Sequence, residues 1–344
     1  MIRTKQTEMK ILGIGEAVID KIQVIERTSG SWSTAKVVAK SQDAGGPVVA
    51  ALLLLSKMGH DCTISASIGQ DADGRHLRQI FRQGNVTLRA HKQPLTKVNT
   101  ILVDAHSGQR KKIRGSVTHE PTKGFDREFL ESFDLILIDR HERAAFYEVI
   151  ANKDARTKLI VDPSTEVSEF TLEMIRHADV PIVPIETLCQ LADGRGLAET
   201  AEGLYRECQK TIFVTLGRFG SLLYDGKEAM VIPGLSVNTV NANGAGDVFR
   251  GAFAFGLLEN WPLEKCAAFA NAAAAVQCTK LGNATVVPNM EEIRAGIERY
   301  RKLDVGLPFL EAHFKRYSNE SSTRNNKSVN FKSSVQFSTQ STVA

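Results

Sequence analysis

Short apolar runs alternate along the chain with longer segments of helical period. Residues 11–14, 63–66, 135–138, 159–161 and 212–216 are β-rich or continuously apolar over strand length, the pattern of strands buried on both faces. Residues 48–58, 76–83 and 198–208 lie between them and repeat at helical spacing. Strands that alternate with helices predict a mostly parallel sheet covered on both sides. A second kind of segment breaks the rhythm. Residues 34–40, 98–103 and 111–114 are short, β-rich and polar at alternate positions, which predicts a small exposed sheet placed as a lid. Two apolar helices are expected late in the chain, at 248–258 and, rich in alanine, at 263–276.

Composition adds bounds. With 42% hydrophobic and 24% charged residues, the 344-residue chain can bury a core. Its longest apolar run, 48–55, is far below the roughly 20 residues that cross a bilayer. The polar start, Met1 to Met9, lacks the apolar region of a secretory signal. Five scattered cysteines form no CxxC pair and read as reduced thiols, so a cytoplasmic location without a membrane partner is expected. Beyond His313, Lys315, Arg316, Arg324, Lys327 and Lys332 face only Glu320, which accounts for the whole net charge of +4. The body is therefore near neutral and lacks the basic stripe of a nucleic-acid binder. Residues 317–344 are rich in Ser, Thr, Asn and Gln and are expected to form a disordered tail.

The most informative chemistry lies in Gly244-Ala245-Gly246-Asp247, directly before the apolar helix. Small residues let a ligand approach the backbone. The first amides of a helix lack intrahelical partners and, with the helix dipole, attract an anion. A carboxylate at Asp247 then stands ready to take a proton from a hydroxyl while those amides hold a phosphoryl group. The alternative is that Asp247 caps the helix and the glycines make a turn. No Walker A pattern is present, which excludes a P-loop kinase.

The surrounding motifs resemble those of the ribokinase-like (PfkB-type) carbohydrate kinases, over about residues 10–295. Residues 244–252 resemble the C-terminal signature of that family. Gly13-Ile14-Gly15-Glu16-Ala17-Val18-Ile19-Asp20 resembles its first strand, Gly45-Gly46-Pro47 its paired-glycine signature, and Gly69-Gln70-Asp71-Ala72-Asp73-Gly74 its Gly-x-Asp-x-x-Gly turn. Residues 215–221, 270–272 and 280–282 resemble its nucleotide-side segments. The resemblance implies an α/β fold: a three-layer αβα core with a mostly parallel central sheet and a small β-sheet lid, formed by segments of about 20–42 and 86–118. It implies an N-terminal extension (1–9) and one kinase domain (10–316). It also implies ATP-dependent phosphorylation of a sugar-like hydroxyl in the presence of Mg2+, with a homodimer formed through the lid.

Carried over residue by residue, Asp247 is the base, and Gly244, Ala245 and Gly246 form the anion hole. Asp20, Gly45 and Gly46 hold the sugar. Thr215, Gly217, Gly220, Asn271 and Gly282 contact the nucleotide. The chain departs from the family in four respects. Ala50 replaces a substrate-binding Asn. The Asn-x-x-Glu motif falls on Ile185 and Leu188, leaving Glu186 as the candidate metal residue. Asn241 replaces an Asp that helps hold a monovalent cation, which argues against K+ activation, and Ala242 replaces the adjoining Thr. These losses define a second reading, a catalytically impaired relative that binds nucleotide or sugar for regulation. Asp139-Arg140-His141-Glu142-Arg143 is expected to be a solvated loop or helix start, from which Arg140 reaches the substrate crevice.

Overall fold

The computed structural model describes residues 8–325 except 28–33, 107–109, 164 and 304. The chain opens with β1 (Lys10–Ile14), β2 (Val18–Arg27), β3 (Ala35–Gly45), α1 (Pro47–Lys57), β4 (Asp61–Ile68) and α2 (Ala72–Gln83). It continues through β5 (Val86–Lys92), β6 (Val98–Asp104), β7 (Arg110–Ile113), α3 (Arg127–Leu130), β8 (Leu135–Asp139), α4 (Arg143–Asn152) and β9 (Lys158–Asp162). The middle holds α5 (Glu169–His177), β10 (Ile182–Pro184), α6 (Ile185–Leu191), α7 (Leu197–Cys208), β11 (Ile212–Thr215), β12 (Gly220–Tyr224) and β13 (Ala229–Pro233). Four helices complete it: α8 (Ala245–Leu258), α9 (Leu263–Cys278), α10 (Met290–Arg299) and α11 (Leu307–Asn325).

The predicted alternation produces a parallel five-stranded sheet of order β5-β4-β1-β8-β9. A second sheet, β10-β11-β12-β13, lies beside β9 and turns antiparallel after β11. Strands β1 and β8 are apolar on both faces because helices cover both sides of the sheet. On one face α1 and α8 pack together and build the largest core. Gly251 permits this approach, since a Cβ there would lie 2.8 Å from the Ala51 Cα. On the other face Phe125, Phe146 and Met174 cover Leu12, Ile136 and Ile138.

The lid is a separate four-stranded sheet, β3-β2-β6-β7. Its long β2–β3 ladder begins at Val18–Gly45, directly over the ends of the central strands. Residues 86–92 were expected in the lid, but they pair with β4 as the edge of the central sheet, because Val86 is buried in the main core.

The tail reading also changes. Helix α11 runs to Asn325, past the predicted tail start at residue 317. The segment docks because Leu310 and Phe314 are buried among residues of α6, α7 and β11. Glu311 reinforces the contact by accepting from the Leu197 and Ala198 amides at 2.7 and 2.8 Å, across the N-terminus of α7. Two otherwise unpartnered helix amides are satisfied by one carboxylate. Glu311→Ala is expected to cost about 1–2 kcal/mol, read as a lower urea midpoint with an unchanged slope. An unaltered midpoint would make the cap incidental to stability.

Candidate active site

A cleft of about 190 Å³ lies between the lid and the carboxyl ends of the central strands. Each chemical element of its wall comes from a strand end or a helix start. Glu16 follows β1, Arg140 follows β8 and Asp162 ends β9. Asp20 and Asn99 descend from the lid strands, and Asp247 enters from the first turn of α8.

Helix α8 begins at Ala245, with Gly244 as its cap residue at φ 77°. Glycine suits that left-handed conformation, and a Cβ here would also lie 2.3 Å from Asn283 Oδ1. Asp247 is therefore the third residue of the helix and makes no capping hydrogen bond, so the turn-and-cap alternative does not describe it. The Ala245 amide reaches the Ala242 carbonyl only at 3.5 Å. A Cβ on Gly246 would meet nothing nearer than Arg250 Nη2 at 4.0 Å, so the helix start is open to a ligand on that side.

The Asp247 carboxylate is held from below. Arg250 Nη2 donates to Asp247 Oδ1 at 2.9 Å and stands 2.8 Å from Asp162 Oδ2. One buried guanidinium thus ties two carboxylates that both line the cleft. Burial pushes the Asp247 carboxyl up to about 7; Arg250 and Lys112 oppose the rise and Asp162 adds to it.

The substrate-side candidates converge on the same cleft. Asp20 is buried and accepts from Asn99 Nδ2 at 2.9 Å and Asn283 Nδ2 at 3.1 Å, with Lys112 Nζ at 4.0 Å. Gly45 makes room for it, since a Cβ there would sit 2.4 Å from Asp20 Oδ2. Gly46, at φ 122°, lines the cleft directly. Ala50 is buried in α1 and lines no part of the cleft.

The segment from Asp139 to Arg143 does start a helix, α4, with Glu142 at its cap position, but its acidic residues are not solvated. Asp139 and Glu142 are fully buried. Asp139 accepts from the Glu16 and His141 amides, and Glu142 from the Thr122 amide and hydroxyl, with His119 at 2.8 Å. Burial and the neighbouring Glu142 push the Asp139 carboxyl well above the usual range. The segment fixes the ends of β1 and β8 and leaves Arg140 projecting into the cleft. Asp71 does similar work. It caps α2 and accepts from the Thr96 amide and hydroxyl, which sets Lys97 against Glu16 at 2.6 Å.

None of the nucleotide-side candidates lines this cleft, although Gly282 adjoins Asn283, which does. Gly217 has open space where a Cβ would stand, as a ligand-facing residue requires. Gly220 is explained structurally, because a Cβ would strike the Ile232 carbonyl at 2.3 Å. The Asn271 amide nitrogen is spent on the Ile232 carbonyl and Ser221 Oγ, joining α9 to the second sheet. Thr215 ends β11, and the Gly282 carbonyl accepts from Asn241 Nδ2 at 2.6 Å. That amide places a donor, not a charge, at position 241. Glu186, the metal candidate, stands in the first turn of α6 and does not line the cleft. Its neighbours Ile185 and Leu188 are buried apolar side chains, and among the described residues no three His, Cys, Asp or Glu side chains cluster to hold a metal.

The pfkB family carbohydrate kinase profile matches residues 9–290, which span the sheet, the lid, the cleft and α8. The chain belongs to that family. It is 31% identical to the ribokinase of Lactococcus lactis over 45% of this chain, and there it spans about half of the relative, 49%. It is 24% identical to the deoxyribokinase of Salmonella typhi over 83% of this chain and 97% of that one. Among solved structures it is similar to Thermotoga maritima ribokinase, with a TM-score of 0.71 and 23% identity over 85% of this chain and 100% of the other. Arabidopsis thaliana ribokinase complexed with ribose and ATP gives a TM-score of 0.70 and 21% identity over 85% and 99%. These structural likenesses confirm the three-layer fold with its mostly parallel sheet.

Within this pfkB chain, sequence reasoning missed Asp162, Arg250, Lys112, Arg114 and Asn283. Asp162 carried a signal, as the polar residue that ends an apolar strand run, and so did Arg250, the lone charge inside an apolar helix. Lys112, Arg114 and Asn283 had none, because strand pairing and chain return bring them in from a distance.

Proposed function

We propose that this protein transfers the terminal phosphoryl group of ATP to a hydroxyl of a sugar or sugar-like acceptor. The observation that carries the proposal is Asp247. Its carboxylate lines the cleft, does not cap its own helix, and stands beside the open amides of Gly246 and its neighbours. In this reading Asp20, Gly46 and Arg140 orient the acceptor. Asp247 accepts the proton of the attacking hydroxyl, and the start of α8 stabilises charge on the transferred group. Most of such catalysis is positioning and charge stabilisation, and those parts are intact here. ATP lies on the Gly217 side, with Gly217 and Gly244 bordering its phosphates. Mg2+ enters on the phosphates of the nucleotide. The homodimer expected through the lid rests on the edge strand β3, whose Val37 and Val38 are exposed.

The test is ADP release with a panel of sugars across pH. A base with a carboxyl pKa of about 7 is active only when deprotonated. The rate constant kcat/KM should therefore climb between pH 6 and pH 8, with its limb near 7. A profile flat down to about pH 5 would assign the proton to another group. No ADP release with any sugar, in the presence of Mg2+, would remove the kinase reading altogether.

A further inference from the structure

Two of the basic side chains of the cleft have no carboxylate partner in its wall. Lys97, Lys112, Arg114 and Arg140 all line it. Lys97 is committed to Glu16 at 2.6 Å. Lys112 stands 4.0 Å from Asp20, whose two oxygens already accept from Asn99 and Asn283. Arg140 is largely shielded, at 18% exposure, and its partner Glu166, 3.1 Å away, is 72% exposed. A solvated carboxylate of that kind is readily exchanged for a better-placed anion. Arg114 forms no ion pair with any described residue. None of the four cleft carboxylates pairs with either guanidinium: Glu16 belongs to Lys97, Asp20 stands nearest Lys112, and Asp162 and Asp247 share Arg250.

These cations belong to the acceptor side. None of Thr215, Gly217, Gly220, Asn271 and Gly282, the candidates for the nucleotide, lines the cleft that holds the four basic side chains. The cleft also has two electrical poles. Around Asp247 the strongest charges are Arg250, Asp162 and Lys112, whereas Glu16 responds to His141, Lys97 and His119. Arg140 adjoins the second pole, since it precedes His141 and follows Asp139, which is bonded to the Glu16 amide. A phosphoryl group in transit needs charge beside Asp247, and Lys112 supplies it there. Arg140 is left without a role in that step.

We infer that the acceptor carries an acidic group of its own, a phosphate, sulfonate or carboxylate, bound in the cleft by Arg140 and Arg114 while the hydroxyl to be phosphorylated faces Asp247. Guanidinium groups suit this task, because their planar fork pairs with two oxygens of an oxyanion. The inference rests on the kinase reading for the identity of the ligand as an acceptor, but its test does not depend on turnover.

The experiment is calorimetric titration without nucleotide. The wild type, Arg114→Met and Arg140→Met are titrated with neutral ketohexoses and aldohexoses, with the same sugars bearing a 6-phosphate, a 6-sulfonate or a 6-carboxylate, and with inorganic phosphate. At least one acidic form is expected to bind tenfold or more tightly than its neutral parent and than inorganic phosphate. Either substitution should remove most of that preference while leaving the affinity for ATP within about twofold. The three acidic arms distinguish the kinds of oxyanion. Equal binding of acidic and neutral forms, a preference that survives both substitutions, or no binding of any acidic form overturns the inference. Selective binding of an acid without ADP release sinks the kinase reading alone, whereas efficient phosphorylation confined to neutral sugars sinks this inference and leaves the kinase standing.

Discussion

Asp247→Asn is expected to lower turnover by about 10²-fold or more while nucleotide still binds. The substitution keeps the size of the side chain and takes away only the proton acceptor. Had the carboxylate been a helix cap, Asn would serve almost as well. It is not a cap: Gly244 holds that position, and Asp247 reaches over to Arg250 instead. Asn retains an oxygen to accept from Arg250, so the α8 start should keep its shape and the amides there remain available. ATP with Mg2+ should therefore raise the melting temperature of the variant as it does that of the wild type. A variant that phosphorylates sugar at the wild-type rate would show that another group takes the proton, and would leave the glycine loop as a turn.

What the sequence revealed, and what it did not, follows from the range of the interactions involved. Strand and helix periods were readable because burial on both faces writes itself into consecutive residues, as in β1 and β8. The Gly244 to Asp247 segment was readable because its chemistry is local to four adjacent positions. The lid was only half readable. Residues 98–103 and 111–114 do form its strands, but 86–92 has the same mixed pattern and belongs to the central sheet. An edge strand and a lid strand are both covered on one side, so pattern alone does not separate them. Asp139 and Glu142 show the opposite failure. Charged residues in sequence read as solvated, yet here each is buried with hydrogen-bonded partners brought from β1 and the chain around residue 120. The tail reading failed at its start for a related reason. The two apolar residues that dock α11, Leu310 and Phe314, lie just ahead of the polar stretch and carry it into a helix.

Arg250 was not singled out in the sequence, and its loss should be among the most damaging changes in the molecule. Arg250→Met nearly preserves side-chain volume in a buried site but removes the guanidinium that ties Asp162 to Asp247. Breaking a buried ion pair from one side leaves charge without compensation and costs about 3–5 kcal/mol. The carboxylates can escape part of that cost by taking up a proton, which gives the loss a defined pH dependence. In the wild type burial already raises the Asp247 carboxyl to about 7, with Arg250 the leading influence that opposes the rise. Without Arg250 the folded-state pKa moves higher still, above its unfolded value near 3.9. An acid with a raised folded pKa favours the folded chain while it stays protonated, and loses that contribution as pH climbs through the folded pKa. The variant should therefore be closer to wild-type stability at pH 5 than at pH 8. The same shift acts on catalysis. The kcat/KM limb expected near pH 7 should move upward, so activity at pH 7 falls more than tenfold and partly returns by pH 9. Urea midpoints at pH 5 and pH 8, paired with the pH–rate profile, separate the two effects. Equal destabilisation at both pH values, with the limb still near 7, would mean that Arg250 is only a packing element and that the proton affinity of Asp247 is set without it.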